Sequence, residues 1–103
     1  MTPVTEAVWQ RIRLLFPRDQ WERVEAMLAD RCGADLPLVK HMGDDPAHFD
    51  RLRLAVLKLS GGTLEGLERE LEGARYDWRD TLVLAGFGHD VTAHERWWPE
   101  PRD

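Results

Sequence analysis

The stretch Asp45-Pro-Ala-His-Phe-Asp-Arg-Leu-Arg-Leu-Ala-Val-Leu-Lys-Leu-Ser-Gly61-Gly62-Thr63-Leu-Glu-Gly-Leu-Glu-Arg-Glu-Leu-Glu-Gly-Ala74 decides the fold class. Asp45 is a capping residue, and Pro46 fits the first helical position, where a missing N–H costs nothing. Phe49, Leu52, Val56 and Leu59 then recur at three- and four-residue spacing with Ala55 beside them, the period of a helix with one buried face. Gly61-Gly62 stops that helix and Thr63 opens the next, where Leu64, Leu67, Leu71 and Ala74 keep the same rhythm. Glu65 and Arg69 stand at ion-pair spacing. Gly66 and Gly73 each weaken this helix by about 1 kcal/mol relative to alanine.

The same grammar extends in both directions. Upstream, Thr2 or Thr5 caps a helix that runs from Pro3 or Glu6 to Leu15, with Val8, Ile12 and Leu15 inward and Pro17 as its stop. A second helix starts near Asp19, which with Glu22 makes a capping-box-like pair, and buries Trp21, Val24, Met27 and Leu28. Residues 33–46 read as an ordered loop pinned by Leu36, Leu38, Val39 and Met42. Downstream, Asp77-Trp-Arg-Asp80 signals a fresh helix start, which predicts a break near Tyr76; a single helix from Thr63 to Ala85 is the alternative. Gly86 and Gly88 end that fifth helix, and Asp90 starts a short sixth one that Pro99 stops. Strand signals are confined to Thr81-Leu-Val-Leu84, which lies between helix signals. The expectation is an all-α, compact bundle of five or six short helices, with residues 1–103 forming one helical domain.

Composition limits the function classes. Of the 103 residues, 43% are apolar, enough for a core, and the formal net charge is −5. Residues 1–51 carry 7 Lys or Arg against 9 Asp or Glu, and residues 52–103 carry 7 against 10. Neither half has a basic surplus to neutralise phosphates, so no nucleic-acid partner is expected. The longest apolar run, Leu82-Val-Leu-Ala-Gly-Phe-Gly88, is far short of a membrane span, so no membrane is expected either. Cys32 is the single cysteine, which precludes an intramolecular disulfide and fits a reducing compartment. The opening Met1-Thr-Pro-Val-Thr-Glu6 lacks the basic-then-apolar pattern of a signal peptide. The expected setting is cytoplasmic.

Several polar clusters invite chemistry. His41, Asp44, Asp45 and His48 surround one helix start, and His89, Asp90, His94 and Glu95 surround another. Neither has the ligand spacing that zinc sites favour, and His89 and His94 would point about 140° apart on a continuous helix. Capping by Asp45 and Asp90 explains both clusters, so no metal and no cofactor are expected; the four histidines are candidates only if a metal binds. Cys32 near a helix C-terminus reads as a small buried residue, because the dipole there disfavours a thiolate. Ser60 lacks the Gly-x-Ser-x-Gly turn of hydrolases, and Gly61-Gly62-Thr63 reads as a tight interhelical turn. Asp77, Arg79 and Asp80 form a possible polar site, competing with their simpler role as a capped helix start.

The five tryptophans are the most unusual feature of the composition. Trp9, Trp21 and Trp78 fall on or beside apolar stripes. Adjacent residues on a helix point about 100° apart, so a short terminal helix rarely buries both Trp97 and Trp98 in its own domain. Two readings follow: both are buried on two sides within the domain, or one packs inward and the other is a partner anchor, with His94 placed to stack on either ring.

The segments Ala55-Val-Leu-Lys-Leu-Ser-Gly-Gly-Thr-Leu64, Asp77-Trp-Arg-Asp80, Ala85-Gly-Phe-Gly88 and Ala93-His-Glu-Arg-Trp97 resemble a group of small bacterial proteins of uncharacterised function. That group shares an Asp-Trp-Arg-Asp, Ala-Gly-Phe and Ala-His-x-x-Trp layout. The likeness spans roughly the C-terminal half, with a weaker echo at Cys32-Gly33 and Leu36-Pro37. It implies a bacterial cytoplasmic setting and assigns no activity to any residue. The functional expectation is a non-enzymatic helical interaction module that binds a protein partner or self-associates. The alternative is a small-ligand or metal-binding protein, with its site between residues 41–48 and 77–94.

Overall fold

The structure, a computed structural model, describes residues 3–33 and 46–100. Among them are six α-helices and no strand: α1 Glu6–Leu15, α2 Trp21–Arg31, α3 Pro46–Ser60, α4 Leu64–Tyr76, α5 Trp78–Leu84 and α6 Ala93–Arg96. The domain is all-α, as its periodicity predicts. Residues 34–45 of the expected loop, with His41 and the Asp45 cap, lie outside the described residues.

Local signals account for most boundaries. The Thr5 side chain caps α1 by accepting from Val8 N, and its hydroxyl donates to Asp50 Oδ2 at 2.8 Å, which ties the start of α1 to α3. Phe16, the residue before Pro17, is extended at φ −115° and ψ 153°, as a following proline demands. The expected Asp19–Glu22 capping box does not form. A 3₁₀ turn at Arg18–Gln20 runs into α2 instead, and Gln20, the residue that precedes α2, makes no side-chain cap bond. The turn supplies by backbone geometry what a cap would supply by side chain.

The α3–α4 turn takes the left-handed backbone that only glycine adopts freely, with φ of 68° at Gly61 and 82° at Gly62. Thr63 Oγ1 accepts from Gly66 N at 3.0 Å. Gly66 does more than weaken its helix: a Cβ there would sit 2.0 Å from Ser60 O, so glycine is what lets the first turn of α4 lie against the end of α3. Gly73 has open space around it, and its cost is the conformational one the sequence implies. The break between α4 and α5 falls at Asp77, with φ −149°, whose side chain accepts from Asp80 N. Arg69 reaches Glu70 at 3.4 Å rather than the expected Glu65. An exposed pair of this kind adds little in either arrangement.

Helix α3 is the axis of the domain, packed against α1, α4, α5 and α6. Its residues 51–57 are buried without interruption, so it is covered on every side rather than along one stripe. Val8, Ile12 and Phe16 of α1, Leu28 of α2 and Leu67 and Leu71 of α4 close over it. Cys32 is fully buried in the same cluster, as expected. Trp9, Trp21 and Trp78 pack only partly against this core. An arginine lies over each: Arg13 at 5.4 Å, Arg18 at 6.0 Å and Arg79 at 5.1 Å from the ring centroids.

Candidate functional site

Burial of residues 51–57 of α3 takes two arginines inside, Arg53 at 1% exposure and Arg51 at 7%. Buried charge needs hydrogen-bond partners, and here the partners are backbone carbonyls. Arg53 donates to Cys32 O at 2.8 Å, Pro3 O at 2.9 Å and Leu28 O at 3.5 Å. Arg51 donates twice to Phe87 O, and Lys58 donates to Ala85 O at 2.7 Å. Cys32 and Leu28 belong to the end of α2, while Ala85 and Phe87 follow α5. Helix C-termini leave their last carbonyls unpaired at the negative end of the dipole, where a cation is best placed.

Arg11 of α1 plays the same part for the C-terminal segment, at 3% exposure. Its Nε donates to Trp97 O at 3.2 Å, one terminal nitrogen to Glu95 O at 3.0 Å and the other to Ala7 O at 3.0 Å. The Trp98 ring lies over this guanidinium at 3.5 Å from its centroid. Burial lowers the Arg11 pKa, opposed by the charge of Asp50.

A cleft of about 250 Å³ opens beside this contact, lined by Ala7 and Arg11 of α1, Asp50 and Leu54 of α3, and His94, Glu95 and Trp98. The i, i+4 spacing of the α1 and α3 pairs places each pair on one helix face. Asp50 Oδ1 and His94 Nδ1 are both buried without a hydrogen-bond partner. His94 is 6% exposed and meets Phe87 edge-on at 6.3 Å between ring centroids. Burial lowers its pKa from the ordinary 6.5. Glu95 and Asp50 oppose that shift, and the Arg51 and Arg11 charges add to it.

The sequence-derived candidates are scattered. Trp97 packs partly into the core, 6.5 Å from Phe87, while Trp98 is 50% exposed; the helix expected to carry them ends at Arg96, and Trp97 is already extended at φ −82° and ψ 131°, so the division belongs to the segment after α6. The group stacked on Trp98 is the Arg11 guanidinium, and the ring beside His94 is Phe87; neither tryptophan takes the histidine. Asp90 is not the cap of α6. It accepts from Thr92 N and Thr92 Oγ1 at 2.8 Å each and pairs with Arg96 at 2.7 Å, fixing the turn before the helix. These bonds hold its carboxyl well below the usual carboxylate range.

Among the described residues no three His, Cys, Asp or Glu side chains gather to hold a metal ion. His89 is exposed, His94 is buried, and His48 is half-buried with an unpartnered Nδ1; His41 lies outside the described residues. Asp77, Arg79 and Asp80 are exposed at the start of α5, away from the cleft. Sequence reasoning missed Arg11, Asp50 and the buried arginines of α3. The available signal was the placing of Asp50, Arg51 and Arg53 inside an otherwise apolar run, where a charged residue needs a dedicated partner.

The chain was compared with protein-family models, curated proteins and solved structures, and no match was found in any of the three.

Proposed function

We propose that this domain is a non-enzymatic protein-interaction module that docks through its C-terminal third. One observation supports the reading above others. Among the described residues, the large apolar side chains that stay exposed are Tyr76 (94%), Val83 (57%), Leu84 (64%), Val91 (67%) and Trp98 (50%), and all five fall between residues 76 and 98. Exposed apolar groups close together in the chain, with aromatic rings among them, are side chains of the kind a contact surface uses.

The charges of that segment favour a partner over a second copy. Residues 76–98 carry Asp77, Asp80, Asp90 and Glu95 against Arg79 and Arg96, so a matching surface is apolar with a basic surplus. Site-specific photo-crosslinking in the host cell tests this. A crosslinker at Leu84 or Val91 is expected to give discrete protein adducts, while the same group at exposed Arg13 or Glu72 gives none. Equal yields at all four positions would remove the docking surface. Sedimentation at micromolar concentration is expected to show a monomer; a dimer abolished by Leu84→Lys would make the partner a second copy.

A further inference from the structure

We infer that the C-terminal segment, residues 93–100, is a strap that acid releases from α1 and α3 while helices α1–α5 stay folded. This goes beyond the docking surface above and does not depend on it. The buried apolar cluster ends in the chain at Phe87, and Ala93 and Trp97 pack against it only partly. The strap is held by other means. Arg11 donates to Glu95 O and Trp97 O, the Trp98 ring covers that guanidinium, His94 meets Phe87 edge-on, and Pro99 is buried. Lifting the strap therefore leaves the apolar cluster of α1–α5 whole, the condition for a local opening rather than a global one.

His94 is where a proton acts. Its Nδ1 is closed to solvent and has no hydrogen-bond partner. A neutral ring can leave that nitrogen as an unpaired acceptor. In the imidazolium both ring nitrogens are N–H donors, so charging the ring in place buries a charged N–H with nothing to accept it. The surroundings do not offset that cost. Arg11 faces the ring from α1, Asp50 and Arg51 from α3 and Glu95 from α6 itself, two cations against two carboxylates, while Phe87 after α5 brings no charge. Burial outweighs this balanced set and favours the neutral ring. Once the strap lifts, water reaches both ring nitrogens. The released state then binds the proton more readily, and acid shifts the equilibrium toward it. Asp90, which fixes the turn before α6, keeps its charge throughout this range.

The test is amide hydrogen exchange of the full chain by NMR at about pH 7.5 and about pH 5, with each rate divided by the intrinsic rate at its pH. The reporters are the Ala93, Glu95 and Trp97 amides, which donate to Asp90 O, Thr92 O and His94 O. Their protection is expected to fall about fivefold at the lower pH, while the amides of Leu52–Leu57 stay at least about a hundredfold better protected. His94→Gln, uncharged across the range, should give strap protection that does not change with pH. If that variant frees the strap at both pH values, the wild-type chain decides: its His94 ring signals and its Trp97 and Trp98 indole N–H signals should titrate with one midpoint. Unchanged strap protection at the lower pH, or separate midpoints, overturns the proposal. So does protection that rises, since the imidazolium would then be pairing with Asp50 and locking the strap. Loss of protection in α3 to the level of the strap would make the event global unfolding and overturn it too.

Discussion

Helix α3 and the segment from Tyr76 to Trp98 invert the usual distribution of polarity in opposite senses. In α3 charged side chains are inside, with Arg53 almost without solvent contact. In the C-terminal third, by contrast, Val83, Leu84 and Val91 face out. Burial of Arg51 and Arg53 is tolerable because each meets a carbonyl just past a helix C-terminus, Phe87 O and Cys32 O, so two groups that would be costly to bury alone satisfy each other. The C-terminal apolar groups have no such complement within the described residues. Buried charge in this domain is therefore structural, while exposed apolar surface is where a function is sought.

The largest effect should come from cutting the α3 side of that comparison. Arg53→Met keeps the volume but removes the donors to Cys32, Pro3 and Leu28. We expect a loss of about 3 kcal/mol in urea unfolding, since the buried Cys32 carbonyl loses its charged donor and Pro3 O its tie to α3, while Leu28 O keeps the Cys32 N–H. Arg11→Met should cost less, about 2 kcal/mol, and its effect should be local: faster hydrogen exchange at Ala93–Trp97, whose carbonyls Arg11 holds.

A pH effect follows from His94. Its folded pKa lies below the ordinary 6.5, so the unfolded chain binds the proton more readily. The stabilisation is complete above about pH 6.5 and is lost as pH falls from there toward the folded value. The midpoint of thermal unfolding should drop between pH 7.5 and pH 5, and His94→Gln should remove most of that slope. Asp90 acts in a separate window: its depressed pKa makes stability fall only as pH drops below the ordinary 3.8.

The smallest effect on stability belongs to the other side of the comparison. Val83→Lys and Leu84→Lys should change unfolding free energy by no more than about 0.5 kcal/mol, as exposed substitutions do. A large loss in either would mean that these side chains are structural, and the contrast with α3 would collapse.

How much was legible depended on whether the cause was local. The α4–α5 break at Asp77 and the Gly61–Gly62 turn were readable because capping and left-handed backbone are properties of a few adjacent residues. The capping box at Asp19 failed because a 3₁₀ turn was a competing local solution to the same unpaired N–H groups. The cleft was not readable. Asp50, Arg11 and His94 come from three helices, and their adjacency depends on how α1 and α6 pack on α3.

The sequence by itself determined that the chain is helical and where most helices begin and end, because apolar period and terminal residues act over one or two turns. How Trp97 and Trp98 part company was not among these, since both lie beyond the end of α6 at Arg96, where helical spacing no longer sets a side chain's direction. Tertiary structure alone decided that Arg11, Arg51 and Arg53 lie inside, because only packing brings distant carbonyl ends within reach of a guanidinium. The same packing decided that Asp50 and His94 each keep one buried polar atom unpaired in the wall of a common cleft.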